Sequence, residues 1–325
     1  MTTSFVTLAE IEAARDRIAG KVRRTFLNPS PSLSDKTGHP VYLKLEHQQI
    51  TGSFKLRGAT NAVLSLDADD RARGIVAVST GNHGRALAYA ARAAGARAVI
   101  CMSELVPQAK IDGIKAQGAE IRIVGKSQDE AQHEVDRLMA EDGMVTVPPF
   151  DHRDVIAGQG TLGLELLDEV PDMHAVLVQL SGGGLISGVA AAIKALRPEV
   201  RIIGVSMERG AAMHASLAAG EPVEVEELPT LADSLGGGIG LDNRLTFAMT
   251  RALVDDVVLL TEDEIAAGIR HCYCSDGQIV EGGGAVGVAA VLAGKVRADG
   301  PLVLLLSGGN IDLADHRRLI CGGTG

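Results

Sequence analysis

Three short segments hold residue types that could do chemistry together. Thr51-Gly52-Ser53-Phe54-Lys55-Leu56-Arg57-Gly58-Ala59 sets one lysine between an aromatic ring and a small-residue helix start. An ammonium in an apolar surround at a helix start is disfavoured, which supplies the neutral amine that imine chemistry needs. Lys55 is thus a candidate nucleophile, although a solvated surface lysine has the same local look. Ser79-Thr80-Gly81-Asn82-His83-Gly84 brings hydroxyls, an amide, an imidazole and close-packed backbone N–H groups that can hold a carboxylate; an ordinary helix cap is the alternative. Ser181-Gly182-Gly183-Gly184-Leu185 lets backbone amides converge on an anion, and the following helix adds unpaired N–H groups and a dipole worth about 0.3–1 kcal/mol. The run lacks the Gly-Lys-Ser/Thr ending of an NTP loop and does not fit Gly-x-Gly-x-x-Gly, so a monophosphate suits it, with a ligand-free tight turn as the alternative.

Elements must bring these segments together. Beta-branched bursts alternate with alanine-rich amphipathic stretches: 74–78 then 86–94, 98–102 then 109–117, 175–180 then 186–196. That alternation predicts an α/β chain of βαβ units around parallel strands. Each chemical segment then falls near the end of a strand, where open sheets bind ligands, and the three share one crevice. No linker divides the chain, so a smaller lobe over 71–147 is expected to be inserted in a larger one made of 1–70 and 148–325, with Pro148-Pro149 as the hinge back.

With 325 residues, 46% hydrophobic, the chain can bury a large core. A net charge of −10 without a basic stripe, with three Tyr, five Phe and no Trp, argues against a nucleic-acid partner. No apolar run approaches the roughly 20 residues that span a bilayer, and Met1 to Glu10 does not read as a leader, so no membrane and a cytoplasmic location are expected. Cys101, Cys272, Cys274 and Cys321 match neither a zinc ribbon nor a redox pair; Cys272 and Cys274 are expected on different faces of a helix.

Read in order with Ile156-Ala157-Gly158-Gln159-Gly160-Thr161 and Ser307-Gly308-Gly309-Asn310, these segments resemble the fold-type II pyridoxal-phosphate (PLP) enzymes of the threonine dehydratase and serine racemase group. The resemblance implies a tryptophan synthase β-like fold, two open α/β lobes with PLP in the cleft between them. It implies that Lys55 holds PLP as a Schiff base and shuttles the Cα proton, that Phe54 packs by the ring, and that Asn82 contacts the ring hydroxyl. Thr80 stands where relatives carry a substrate-binding serine that can act as acid or base, within a substrate loop formed by Ser79, Thr80, Gly81, Asn82 and His83. Gly182, Gly183, Gly184 and Leu185 would hold the phosphate, Glu281 would border the cofactor and Ser307 would face the pyridine nitrogen. A neutral hydroxyl there makes the ring a weaker electron sink than an aspartate would, which favours prompt loss of a β-hydroxyl over transamination. Relatives of this kind are usually homodimers, so the resemblance implies a homodimer here.

Departures from the group's pattern narrow the expectation. Ser206 and Ala212 stand where serine racemases have acidic cation ligands, so no metal is expected there. Ser234 replaces a glycine, and Gly282-Gly283 replace a proline and a hydroxylated residue after Glu281, which is expected to open that wall of the pocket. The chain ends soon after Leu313, so no regulatory domain is expected. The segments 49–54, 206–214 and 231–240 look most like the hydroxyectoine utilisation dehydratases, whose substrate is hydroxyectoine or its ring-opened form. The alternatives are a catabolic threonine/serine dehydratase with some serine racemase activity, and a PLP-binding protein without catalysis. In each enzymatic case the partner is a small β-hydroxy amino acid.

Overall fold

The computed structural model describes residues 4–322, except Pro107 and the side chains of Ala109, Gln128 and Asp129. Its strands are β1 (Leu27–Pro29), β2 (Val41–Lys44), β3 (Ile75–Val78), β4 (Ala98–Met102), β5 (Glu120–Ile123), β6 (Val145–Thr146), β7 (Ala175–Gln179), β8 (Arg201–Met207), β9 (Asp256–Leu260) and β10 (Leu302–Leu305). They form two sheets, one ordered β1-β2-β10-β7-β8-β9 and one ordered β5-β4-β3-β6. All neighbours are parallel except the edge pair β1 and β2, where Leu27 faces Lys44 and Pro29 faces Tyr42. The fold is α/β, and the four-stranded sheet is built wholly from residues 75–146.

The strands are apolar because both faces are covered. On the large sheet Leu43, Leu177, Ile203 and Leu304 point into one core, while Val176, Val178, Ile202 and Val303 point into the other. The small sheet alternates likewise, Ile75, Ala77 and Ile100 on one side against Val76, Val99 and Cys101 on the other. Strand β3 starts one residue later than the sequence pattern predicts because Gly74 has φ +92°, outside the extended region. The helix expected from Ile186 begins earlier, at Gly184, since the Gly182–Gly184 turn itself winds into its first turn.

Three helices cross with almost no side chain between them. They are Lys55–Ser65, Arg153–Glu169 and Gly184–Leu196. A Cβ on Gly158 would overlap the Gly58 backbone, and one on Gly188 would overlap the Ile156 carbonyl. The Ile156–Thr161 segment therefore serves close helix packing, and it is buried throughout. Cys272 is buried and Cys274 exposed on the helix Glu262–Cys274, as their spacing predicts. No helix among the described residues is long and apolar enough to cross a membrane.

Candidate active site

Lys55 opens its helix directly after the bridge between Ser53 and Gly308, which laces this segment to the turn after β10. Phe54 N–H donates to the Ser307 carbonyl at 3.0 Å, and Gly309 N–H donates to the Gly52 carbonyl at 2.9 Å. The Lys55 amine donates to the Pro149 carbonyl at 2.8 Å and sits 5.4 Å from the centre of the Phe54 ring. Burial pulls its pKa from 10.5 down to about 8, with the charge of Glu281 opposing. A large fraction of the amine is thus neutral near pH 8.

The turn Gly182–Leu185 follows β7. Gly183 has φ +87° and caps the helix, and the first-turn amides have no intrahelical acceptor. A Cβ on Gly182 would overlap the Phe150 ring, and one on Gly184 would press on the Phe150 backbone at 2.9 Å. Bare backbone is therefore required on both sides of Gly183.

Asn82, Glu281 and Asn310 tie three loops together. Asn82 donates to Glu281 Oε1 at 2.7 Å, and the Asn310 amide N–H donates to Glu281 Oε2 at 3.1 Å. Asn310 Nδ2 bridges to Asn82 Oδ1 at 2.6 Å and to the Thr51 carbonyl at 2.9 Å. Burial, reinforced by Asp233, raises the Glu281 pKa, while Ser234, Asn82 and Asn310 oppose it.

All the candidate residues border one cleft of about 370 Å³: Phe54 and Lys55, Ser79 through His83, Gly182 through Leu185, Glu281 and Ser307. Two of them are partly engaged already. Ser79 Oγ accepts from Gly84 N–H at 2.9 Å as a helix cap, and His83 Nε2 lies 2.8 Å from the Val147 carbonyl. Burial and the Lys55 charge push the His83 pKa down to about 3, so its ring offers a substrate no positive charge. Thr80 carries no such engagement and faces the cleft.

The expected opening at Gly282–Gly284 does not occur. A Cβ on Gly282 would overlap the Leu231 carbonyl, one on Gly283 the Ser234 hydroxyl and one on Gly284 the Gly308 carbonyl. The freed volume is filled by the neighbouring chain, and only Glu281 from this segment borders the cleft.

Sequence reasoning gave no site role to several residues found here. Pro149, Gln179 and Asn310 border the cleft, and the last already stood in a singled-out segment without a role. Arg57, two residues after Lys55, grips Glu46 on one side and Glu165 on the other with hydrogen bonds of 2.7–2.9 Å. Lys44 joins the cluster at 2.9 Å from both Glu165 and Glu169. Burial would raise the Glu46 pKa, but Arg57 outweighs it and holds the group ionised. Such a cluster anchors the first turn of the Lys55 helix, since losing one partner would strand a buried charge.

A family model described as "Pyridoxal-phosphate dependent enzyme" matches residues 18–308. The chain belongs to the pyridoxal-phosphate dependent enzyme family. It is 62% identical over 320 residues to a "Putative threonine dehydratase" of Sinorhizobium fredii, covering 98% of this chain and 96% of the relative. It is 43% identical to an L-threonine ammonia-lyase of Thermotoga maritima, covering 97% of this chain and 78% of the relative. Maize serine racemase superposes with a TM-score of 0.92 at 34% identity, over 98% of both chains. The protein is a PLP-dependent lyase of the threonine dehydratase and serine racemase group, which sets aside a binding protein without catalysis.

The site fits the cofactor. A desolvated amine, a left-handed glycine turn with first-turn amides and the Ser307 hydroxyl share the cleft. No group of three or more His, Cys, Asp or Glu side chains suited to a metal occurs among the described residues.

Proposed function

We propose that the protein eliminates water from a small β-hydroxy amino acid, threonine or serine, and releases ammonia and a 2-oxo acid. The observation that carries this reading is one cleft holding Lys55, Thr80 and, at the end of β10, the hydroxyl of Ser307 in place of a carboxylate. When bound, PLP supplies an electron-withdrawing ring that acidifies the substrate Cα–H. Lys55, Gly182–Leu185, Phe54, Asn82 and Ser307 would hold it. Lys55 Nζ, neutral in a large fraction near pH 8, takes the Cα proton, and Thr80 Oγ1 holds the substrate on the loop after β3. Asn82, fixed by Glu281 and Asn310, orients the small-lobe loop against the large lobe. Ser307 offers a hydrogen bond without a formal charge, so electrons leave through the β-hydroxyl rather than accumulate. The names of the relatives from Sinorhizobium fredii and Thermotoga maritima support this substrate class.

A second reading, hydroxyectoine or its ring-opened form, rests on the wording of 49–54, 206–214 and 231–240. Its structural support is an adjoining cavity of about 1300 Å³ that meets the cleft at Glu281 and Asn310, room that threonine does not need. Product analysis on threonine, serine, hydroxyectoine and its hydrolysis products, side by side, tests both. Rapid 2-oxobutyrate from threonine supports the first reading, and turnover restricted to the hydroxyectoine compounds replaces it with the second.

A further inference from the structure

Arg85 lies one turn beyond Asn82 on the helix Asn82–Ala93, half-buried, and it borders both the cleft and the adjoining cavity. Its guanidinium occupies the space that any Cβ at Gly113 would take, so a glycine on the facing helix is what admits it. Lys110 sits at the same seam, but its ammonium pairs with Asp233 at 3.3 Å. Among the described residues no carboxylate lies in ion-pair range of Arg85, and no acceptor takes a hydrogen bond from it. Burial lowers its pKa, with the charge of Glu281 opposing, and the group stays cationic. A partly desolvated guanidinium without a partner is unfavourable, and its planar fork suits a planar oxygen acceptor.

We infer that Arg85 is a specificity-determining residue whose guanidinium takes an oxygen acceptor, a carboxylate or an amide carbonyl, carried at the far end of a β-hydroxy amino acid longer than threonine. This rests on the dehydratase reading above and extends it across the seam between the two cavities. Threonine ends at its methyl group and leaves Arg85 without a partner. A longer substrate, seated with its α-carbon near Lys55, reaches past Asn310 and Glu281 to the seam.

The test compares wild-type holoenzyme with Arg85→Gln and Arg85→Lys on threonine, on 3-hydroxyglutamate as the carboxylate arm, and on N4-acetylated 2,4-diamino-3-hydroxybutyrate as the amide arm. The ratio of kcat/KM for the preferred long substrate to that for threonine should fall roughly ten- to hundred-fold in Arg85→Gln, the range of a charge-assisted hydrogen bond. Arg85→Lys should retain part of the ratio on the carboxylate arm. A ratio within about threefold of wild type on both arms overturns the inference. Calorimetric titration with glutarate gives a readout independent of turnover: binding that weakens in Arg85→Gln and competes with threonine supports it. Binding that ignores the substitution, or does not compete, overturns it. If wild type turns over no β-hydroxy amino acid, the dehydratase reading fails and the glutarate titration alone decides Arg85.

Discussion

Two three-glycine runs, Gly182–Gly184 and Gly282–Gly284, each lead into a helix packed on the six-stranded sheet, and they do different work. In the first, Gly183 takes a left-handed φ of +87° and the run borders the cleft, so its amides are available to an anion. In the second no glycine has positive φ, the Gly284 and Ala285 amides donate to the Glu281 carbonyl, and the run does not border the cleft beyond Glu281. Composition is the same. Both runs are closely packed where a side chain would be, so what separates a ligand cradle from a packing seam is the left-handed turn and where the backbone donors point.

The comparison can be broken experimentally. Lys55→Ala should have the largest effect: loss of the cofactor's Schiff-base absorbance and a fall in turnover of at least 10²–10⁴-fold, about the worth of a positioned proton-transfer group. The cradle should still hold PLP by its phosphate, so equilibrium dialysis that finds no residual binding would count against its role. Gly183→Ala should weaken cofactor affinity strongly, because a left-handed alanine costs about 1–2 kcal/mol and the turn that aims the amides must change. Gly284→Ala should instead lower the melting temperature by an equivalent of about 1–3 kcal/mol, since the Gly308 carbonyl must move, with cofactor affinity changed far less. Exchanged outcomes for this pair would erase the distinction. Gly283→Ser should destabilise modestly and lower kcat/KM, and adding Ser234→Gly should recover most of both, because the two side chains compete for one space. Purely additive effects would show that they do not.

The smallest effect separates charge from shape. Burial lowers the Lys55 pKa from 10.5 to about 8, so the folded protein binds fewer protons than the unfolded chain between those values. Stability from this group should therefore rise as pH climbs from about 8 to 10.5, its penalty being complete below 8. The rate of PLP loading onto apoenzyme should rise and level off with a midpoint near pH 8, measured by absorbance; a rate that keeps climbing about tenfold per pH unit through pH 9, with no levelling, would place the amine in solvent.

Much of the site was legible because its chemistry is local in sequence. The Ser79–His83 loop and the Gly182–Leu185 turn follow β3 and β7, where strand ends of an open sheet converge; Lys55, expected at a strand end too, is reached from β2 through the short helical turn Glu46–Gln48 and a loop. Spacing could not reveal what depends on contacts between distant segments. Arg57 meets Glu165 across 108 positions, and Lys55 meets the Pro149 carbonyl across 94. The filled wall at Gly282–Gly284 escaped for the same reason, because the chain that fills it comes from Leu231, Ser234 and Gly308. The Ser79 cap and the His83 contact with Val147 show one loop serving structure and site at once.

The backbone-to-backbone crossing of the helices at Gly58, Gly158 and Gly188 fixes more than a core. Lys55 heads one crossing helix, Gly184 heads another, and both clamp onto Arg153–Glu169. The Lys55 helix start and the Gly182–Leu185 turn are thereby held as on a gauge block, at a separation set by backbone contact. The Ser79–His83 loop belongs to the other sheet and lies outside that clamp. The Lys55 helix nevertheless packs Leu56, Ala59 and Val63 into the core of that sheet, and Asn82 bonds to Glu281, so the loop that carries Thr80 is indexed to the same gauge.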